Sequence, residues 1–350
     1  MKHKPLRIAQ ISPIAERVPP EKYGGTERVV STLTEELVKR GHKVTLFASG
    51  DSKTQAKLVS VYPRGLRGAK VKDTYGTNIH TLLNIGAAYQ RQDEFDIIHD
   101  HNSFLSLPTA NLAHVPVLMT IHGPITVNIR KNFETLRNPH LVAISDSQRE
   151  SAPNLNWTGM IHHGLDFKNF PFSETTEGYL LFVGRISMEK GVHFAIETAQ
   201  YLDLPLIIAA KLEGFDTQYF NEYVGPMLSN GQIKWVGEVD QDERNRLMSK
   251  ALCFLHPVTW KEPFGLTLIE SMACGCPVIG FNKGSIPEVI RNGKTGFVVE
   301  DVEEMAEAVN NIKKIERIFC RDYARENFNS KLMTDNYEKI YYQILENKKN

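Results

Sequence analysis

The chain has 350 residues, 41% of them hydrophobic and 23% charged, which is the composition of an ordinary globular protein and a length that suits two domains. Lysine plus arginine and aspartate plus glutamate number 41 each, so the formal net charge is zero and nothing indicates a nucleic-acid-binding surface. No apolar run approaches the roughly 18–20 residues that span a bilayer, so we expect no stable membrane insertion.

The cysteines and the N-terminus indicate a cytoplasmic protein. The four cysteines form no Cys-x-x-Cys pair, and three of them lie in apolar stretches, so we expect reduced packing cysteines and neither disulfides nor a metal site. The first apolar run, over 8–11, is too short for a secretory signal and is typical of a first strand.

Short apolar runs alternate with amphipathic stretches in the first half of the chain. This pattern predicts helices over 26–40 and 78–91 and strands over 6–12, 43–48, 96–99, 115–121, 140–144 and 160–163. Gly41 suits the position after the first helix. The alternation favours βαβ units and a mostly parallel sheet.

A stretch rich in turn-forming residues, 165–178, interrupts the pattern, which then starts again. The second half predicts strands over 179–183, 206–210, 233–236, 252–256 and 277–280 and helices over 190–201, 217–228, 241–249, 265–273, 302–313, 316–326 and 331–345. We therefore expect Rossmann-like domains over 1–165 and 166–328, a terminal segment over 329–350, and a ligand between the domains at the carboxyl ends of strands.

The loop after the first predicted strand ends in a glycine pair, Gly24 and Gly25, directly before a helix. Glycines at such a turn allow backbone amides to face an anion or a sugar. The spacing is not that of a dinucleotide fingerprint, and a simple tight turn explains the pair equally well.

Two cations follow the first strand of the second domain. Arg185 and Lys190 flank a turn before a helix, and an arginine fork with a lysine point charge suits a diphosphate. The alternative is a pair of solvated cations on a surface loop.

Histidines cluster near the ends of predicted first-domain strands. His99 and His101 flank Asp100, and imidazole with carboxylate is a common metal-ligand set. Neighbouring residues of a strand point alternately, however, so one metal does not easily take all three. His122 is better placed as a substrate contact, with a structural histidine as an equal alternative.

The most informative segment runs from Glu262 to Glu270. Pro263 suits the first turn of a helix, and Gly265 allows the backbone to approach a ligand at the helix start, where free N–H groups attract phosphate. Glu262 then precedes the helix and Glu270 lies more than a turn inside it, so a carboxylate is expected on either side of an anion site. An ordinary amphipathic helix is the alternative.

Together these motifs resemble the retaining family-4 glycosyltransferases of GT-B fold, and the resemblance covers nearly the whole chain. It implies two Rossmann-like domains whose parallel sheets face each other across a cleft, with a C-terminal helix that crosses back to the first domain. The first domain would bind the acceptor and the second the nucleotide-sugar donor.

The resemblance also implies roles for individual residues. Arg185 and Lys190 would hold the donor diphosphate, Glu270 the ribose hydroxyls, and Glu262 and His122 the donor sugar. The remaining donor-binding positions would be Gly24, Gly25, Val239 (beside the base), Phe264, Gly265, Leu266 and Thr267.

The implied reaction is transfer of a hexose, glucose or a relative, from a UDP-linked sugar to the hydroxyl of a small molecule or glycan, by front-face attack without metal or other cofactor. Retention by the other route needs a carboxylate nucleophile, for which Asp100 is the candidate in the first domain. A non-catalytic nucleotide-sugar-binding protein and a GT-B isomerase or phosphorylase are the alternatives. Residues 12–25 are also similar to a bacterial subgroup that includes pterin glucosyltransferases, which implies glucose and a small aromatic acceptor.

One segment bears on a peripheral membrane location. Residues 64–72 hold four cations, Arg64, Arg67, Lys70 and Lys72, which suit contact with anionic lipid. A solvated loop is the alternative.

Overall fold

Thirteen short, mostly apolar runs form β-strands in the computed structural model, which describes residues 4–71, 74–229 and 231–348. Lys72 of the basic segment lies outside the described residues. The chain divides into two compact units, unit 1 (Met1–Gly164 with Ser330–Asn350) and unit 2 (Leu165–Asn329). The boundaries expected from the sequence, after 165 and after 328, lie one residue from these.

Unit 1 is built on a seven-stranded sheet in which every neighbouring pair is parallel. The strands are β1 (Arg7–Ile11), β2 (Lys43–Phe47), β3 (Lys57–Val59), β4 (Ile97–Asp100), β5 (Val117–Thr120), β6 (His140–Ala143) and β7 (Trp157–Met160). Their spatial order is β3-β2-β1-β4-β5-β6-β7, so the order reverses between β1 and β4, as in a doubly wound Rossmann-type sheet.

Helices connect these strands and cover the apolar side chains of the sheet. They are α1 (Gly25–Lys39), α2 (Thr74–Tyr89), α3 (Leu107–Asn111), α4 (Val127–Thr135) and α5 (Asp146–Glu150). Val29, Val30, Leu33 and Leu37 of α1 recur at helical spacing and are all buried, which explains why this segment forms a helix on the sheet.

Unit 2 repeats the plan with six parallel strands in the order β10-β9-β8-β11-β12-β13. The strands are β8 (Leu180–Arg185), β9 (Leu206–Lys211), β10 (Ile233–Trp235), β11 (Cys253–His256), β12 (Val278–Phe281) and β13 (Gly296–Val299). The helices are α6 (Val192–Tyr201), α7 (Thr217–Tyr219), α8 (Gln241–Lys250), α9 (Leu266–Ala273), α10 (Ile286–Val289), α11 (Val302–Asn311) and α12 (Arg317–Asn327).

The last helix, α13 (Ser330–Asn347), belongs to unit 1, as the family resemblance implied. It packs on α1, and Glu338 binds both Arg40 and His42, with His42 Nε2 donating to Glu338 Oε1 at 2.7 Å. Tyr337 and Tyr341 are fully buried against the unit 1 sheet. Unit 1 is therefore completed by the end of the chain.

Two of the elements predicted from the sequence were wrong, and two short strands were missed. The strand predicted over 160–163 is β7, which lies three residues earlier, and the short strands β3 and β13 were missed. The helix predicted over 217–228 is instead α7 followed by a π-helical turn, Phe220–Val224, and a 3₁₀ segment, Gly225–Ser229. Pro226 explains the break, because its ring excludes the hydrogen bond that a continuous α-helix needs.

Among the helices of the described residues, none is both long enough and apolar enough to cross a bilayer.

Candidate active site

Arg185 and Lys190 lie at the carboxyl edge of the unit 2 sheet. Arg185 is the last residue of β8, and Lys190 ends the short 3₁₀ turn that follows. The neighbouring strand, β11, ends at His256 and leads through a loop to Glu262 and α9. Because β8 and β11 are parallel neighbours, the two loops emerge side by side.

Gly191 holds the first of these loops against the second. Its φ is +67°, a left-handed conformation that side chains disfavour, and a Cβ there would lie 2.1 Å from the carbonyl oxygen of Pro257. The Thr259 N–H donates to the Glu189 carbonyl at 3.0 Å. This close packing of the two backbones places Lys190 beside Glu262.

Glu262 is buried, and one of its carboxylate oxygens is the centre of a polar cluster. Lys190 Nζ lies 2.5 Å from Oε2, Trp260 Nε1 donates to the same oxygen at 3.0 Å, and His256 Nε2 lies 3.8 Å away. The main chain of Glu262 is fixed as well, because the Ser285 N–H donates to its carbonyl at 3.0 Å. The carboxylate is thus held in one orientation.

These neighbours keep Glu262 ionised. Burial alone would raise the pKa of the carboxyl group, but the positive charge of Lys190 and the nearby His256 outweigh burial, and the pKa falls to about 2. Burial lowers the pKa of His256, which favours the neutral ring. Near neutral pH the cluster therefore consists of a carboxylate, an ammonium group and a neutral imidazole.

Both cations carry acidic and aromatic partners in this structure. Lys190 Nζ lies 4.8 Å from the centre of the Trp260 ring. Arg185 binds Glu189, its Nε lies 3.2 Å from Asp216 Oδ2, and its guanidinium lies 5.2 Å from the centre of the Phe215 ring. These contacts already hold Lys190 and Arg185 in position, so an anion that binds here would meet two fixed cations.

Helix α9 begins at Leu266, and Gly265 is its N-cap. Pro263 therefore precedes the helix, and its predicted first-turn position was wrong. Glu270 lies more than a turn inside the helix, as predicted, and only 2% of it is exposed. Its Oε1 accepts from Arg244 Nη2 of α8 at 3.0 Å, so this carboxylate is part of a buried ion pair.

The other predicted donor-binding residues of unit 2 lie around the start of α9 or beyond β10. Phe264 is buried, whereas Leu266 and Thr267 are half-buried in the first turn, where backbone N–H groups lack intrahelical acceptors. Val239 is half-buried in the loop between β10 and α8.

In unit 1, the glycine pair begins helix α1. Gly24 is the N-cap with φ +140°, and a Cβ there would lie 2.8 Å from Pro20 Cβ, so a side chain does not fit. Gly25 is exposed, with open space where its Cβ would be. Glu27 lies buried in the first turn, and burial raises its pKa to about 7.

His122 lies half-buried just after β5 and belongs to a row of histidines whose other members are buried. Its Nε2 is 2.9 Å from Nδ1 of His101, and its ring stacks on that of His163 with centres 5.1 Å apart. Burial lowers the pKa of His122 to about 3, so the ring is neutral. No group of three or more His, Cys, Asp or Glu side chains within the described ranges is arranged to hold a metal ion.

Asp100, which the sequence offers as a metal ligand or nucleophile, is completely buried. One carboxylate oxygen accepts from the Asn102 backbone at 2.8 Å and from its side chain at 3.0 Å, and the other accepts from Tyr89 OH at 3.0 Å. Burial raises its pKa. These contacts give Asp100 a structural function in the loop after β4.

The structure thus brings Lys190 and Glu262 into direct contact within unit 2. It also shows four functional candidates that the sequence analysis missed, namely Trp260, His256, Asp216 and Arg244. Trp260 and His256 lie close before Glu262 in the sequence, so their position near the motif was an available signal. Asp216 and Arg244 lie far from their partners along the chain, and no local pattern points to them.

Two family models match consecutive parts of the chain. The model described as Glycosyltransferase Family 4 matches residues 23–158, and the model described as Glycosyl transferases group 1 matches residues 166–329.

The similar proteins include enzymes with different products. Glycogen synthase of Mycobacterium tuberculosis is 26% identical over 361 residues, covering 88% of this chain and 86% of that protein. Sucrose-phosphate synthase from Thermosynechococcus elongatus shares the fold with a TM-score of 0.81 at 18% identity, covering 97% of this chain and 98% of the other. HepE of Anabaena, solved in complex with UDP and glucose, has a TM-score of 0.73 at 17% identity, covering 95% and 98% of the two chains.

Proposed function

Because the chain belongs to the group 1, family 4 glycosyltransferases, we propose that it transfers a hexose from a UDP-linked donor to an acceptor hydroxyl with retention of anomeric configuration. The observation that carries this proposal is the contact between Lys190 and the ionised carboxylate of Glu262, beside Arg185. The presence of UDP and glucose in the structure of HepE supports the choice of donor.

Arg185 and Lys190 bind the donor diphosphate and stabilise the charge that develops on it. When UDP leaves, negative charge accumulates on the diphosphate, and fixed cations lower the energy of that state without having to reorganise. In the ligand-free protein Lys190 is neutralised by Glu262. Donor binding therefore replaces one anionic partner of Lys190 with another, and Glu262 becomes available to accept sugar hydroxyls.

The transfer needs no covalent intermediate between the sugar and the enzyme. The bond between the anomeric carbon and the diphosphate oxygen breaks while the acceptor oxygen bonds to the same carbon from the same face. The acceptor proton passes to the departing diphosphate oxygen. The burial and full hydrogen bonding of Asp100 support this front-face route, because they remove the one first-domain carboxylate considered as a nucleophile.

Glu270 binds the ribose hydroxyls in this proposal, and it does so as a member of the pair with Arg244. The guanidinium already donates to Glu270 Oε1, so the carboxylate is oriented before the nucleotide arrives. The start of α9, with Gly265, Leu266 and Thr267, supports the phosphate and sugar through backbone N–H groups. The backbone near Val239 contacts the base.

In unit 1, Gly24, Gly25 and His122 complete the proposed donor contacts. Gly25 leaves the first turn of α1 open to a phosphate or acceptor, because no heavy atom lies within 4 Å of the position a Cβ would take. His122 contacts the donor sugar. The acceptor is the hydroxyl of a small molecule or glycan, a range that the names of the similar synthases illustrate.

A donor panel tests the proposal. The protein is incubated with UDP-, ADP- and GDP-linked glucose, galactose, mannose and N-acetylglucosamine, with candidate acceptors, and nucleotide release is measured. We expect acceptor-dependent release of UDP and an α-linked product from an α-linked donor. An inverted product would rule out the front-face route. Tight UDP binding without turnover on any donor and acceptor would instead favour a non-catalytic binding protein.

A further inference from the structure

A row of four histidine rings runs through unit 1 and includes the proposed sugar contact, the half-buried His122, while the other three rings are buried. Ring centres are separated by 4.1 Å between His99 and His101, 5.1 Å between His101 and His122, and 5.1 Å between His122 and His163. The proposed reaction uses only His122. Of the other rings, His101 is hydrogen-bonded to His122, and this contact decides how His122 is protonated.

The protons of this row can be assigned from Gln10. His101 Nε2 lies 2.7 Å from Gln10 Oε1, and an amide oxygen only accepts, so Nε2 of His101 carries a proton. Burial holds the pKa of His101 well below its usual range, so the ring is neutral and its Nδ1 is an acceptor. The 2.9 Å contact between His101 Nδ1 and His122 Nε2 must then be donated by His122.

His122 therefore carries its single proton on Nε2. Burial lowers its pKa to about 3, so there is no second ring proton near neutral pH. Its Nδ1 is a bare acceptor, and this buried atom has no hydrogen-bond partner among the residues that the structure describes.

The contacts on the other side of Gln10 agree with this orientation. Its Nε2 donates to Tyr341 OH at 3.3 Å and faces His99 Nδ1 at 3.4 Å. Tyr341 OH in turn lies 2.6 Å from His99 Nδ1, and His99 Nε2 lies 2.8 Å from Thr120 Oγ1. With His99 protonated on Nε2, every polar atom in this branch of the network, which runs from Gln10 through Tyr341 and His99 to Thr120, has a complementary partner.

We propose that Gln10 and His101 are positioning residues that hold His122 in its Nε2–H tautomer, so that its Nδ1 accepts a hydrogen bond from a hydroxyl group of the donor sugar. The identity of the ligand rests on the proposed function, whereas the tautomer does not. Because Nδ1 is buried in the ligand-free protein, a hydrogen bond made to it is shielded from competing water.

An acceptor at this position gives a specific form of selectivity. A hydroxyl group can donate to His122 Nδ1, whereas hydrogen or fluorine in its place cannot. A deoxy sugar and the matching deoxyfluoro sugar should therefore both bind more weakly than the parent, by about 2- to 10-fold. If Nδ1 carried the proton, fluorine would retain part of the interaction and the two analogues would differ.

Nitrogen NMR of the ligand-free protein tests the tautomer directly. The protein is labelled with ¹⁵N-histidine, and long-range proton–nitrogen spectra distinguish the protonated from the bare ring nitrogen. The signals of His122 are identified by their loss in His122→Gln. We expect a protonated Nε2 and a bare Nδ1 near neutral pH. A protonated Nδ1 in the wild-type protein would overturn the proposal, whatever the variants do.

Two variants test the origin of the tautomer. Gln10→Met removes the acceptor of His101 with little change in volume, and we expect the His122 signals to shift towards a mixture of tautomers. Tyr337→Phe is the matched control, because its hydroxyl contacts Thr120 at 2.9 Å in the other branch, and it should leave the His122 signals unchanged. An unaltered Nε2–H tautomer in folded Gln10→Met would refute the positioning function.

A set of UDP-sugar analogues tests the ligand. Deoxy and deoxyfluoro versions of the preferred donor, altered at one hydroxyl at a time, are titrated into the wild-type protein. At one position we expect both analogues to bind about 2- to 10-fold more weakly than the parent. Near-parental binding of the fluoro analogue at every position where the deoxy analogue is weak would contradict an acceptor at Nδ1. If no UDP-sugar binds at all, the proposed function fails and the NMR result stands.

Discussion

At the scale of single residues, the contact between Lys190 and Glu262 links binding and catalysis. Lys190→Ala should lower the transfer rate by about 10²–10³, because one fixed positive charge no longer stabilises the leaving diphosphate. Steady-state kinetics with the preferred donor measures the effect. Lys250→Ala is a matched control. Lys250 lies at the end of α8, where it donates to Ser173, and it has no proposed contact with the donor. Equal losses in both variants would show that the effect is not specific to the diphosphate.

Glu262→Ala is expected to abolish transfer while UDP still binds. In the ligand-free protein Glu262 neutralises Lys190, so its removal frees that ammonium group for the diphosphate, and UDP affinity should stay the same or rise. Calorimetric titration with UDP and a transfer assay on the same preparation separate the two effects. Loss of UDP binding together with transfer would contradict the division of tasks between Glu262 and Glu270.

Glu27 should make the stability of the protein depend on pH in the direction opposite to most carboxylates. Burial raises its folded-state pKa to about 7, against an ordinary value of 4.5. The folded state therefore binds more protons than the unfolded state in this interval, so the stabilisation is complete below about 4.5 and is lost as pH rises through about 7.

The expected size of this loss is on the order of 3 kcal/mol, and Glu27→Gln should remove it. Urea unfolding at several pH values across the interval gives the free energy of unfolding for each variant. Glu36→Gln, which removes a half-buried carboxylate of the same helix paired with Lys39 and Arg40, should keep the wild-type pH dependence across this interval. A Glu27→Gln variant with the wild-type slope would show that Glu27 is not the titrating group.

At the scale of secondary structure elements, the buried pair of Arg244 and Glu270 joins α8 to α9. Arg244→Met should lower the free energy of unfolding by about 3–5 kcal/mol, because it leaves a buried carboxylate without its cation. The double variant Arg244→Met/Glu270→Gln should recover part of that loss, since no charge remains unpaired. Denaturant unfolding of both single variants and the double variant measures the coupling, and strictly additive losses would argue against it.

The sequence predicted most of these elements because their apolar residues are periodic and contiguous. It located the helix that carries Glu270 to within one residue, yet it placed Pro263 inside that helix. The start of the helix depends on the left-handed Gly265, which a pattern of apolar residues does not reveal. The edge strands β3 and β13 were missed because they are short and partly exposed, so they lack a continuous apolar signal.

The candidate site was predictable only as far as its residues are close in sequence or match a known motif. Lys190 and Glu262 are 72 positions apart, and their contact depends on β8 and β11 being parallel neighbours. The partners Arg244 and Asp216 come from other loops and helices. Sequence periodicity gives the elements, but contacts between side chains at the ends of different strands require the sheet order.

At the scale of the whole molecule, the predicted GT-B fold is confirmed. The two units differ in how many segments of the chain form them. Unit 2 is a single continuous segment, Leu165–Asn329, whereas unit 1 needs α13 from the end of the chain. That helix contributes a set of buried side chains to unit 1, namely Met333, Tyr337, Ile340, Tyr341 and Ile344. Tyr337 and Tyr341 also bind Thr120 and His99 of the unit 1 sheet.

A fragment of residues 165–329 should therefore fold alone, whereas a fragment of residues 4–164 should not, because it exposes the apolar surface that α13 covers. A rearranged chain in which residues 330–348 precede residues 4–164 should restore folding. Tyr342 OH donates to the Lys4 carbonyl at 2.9 Å, and the helix rises about 1.5 Å per residue, so a short glycine-serine linker can join the end of α13 to residue 4. Thermal unfolding followed by circular dichroism compares the three proteins. Cooperative unfolding of 4–164 without α13, at the temperature of the rearranged chain, would show that unit 1 does not depend on the helix.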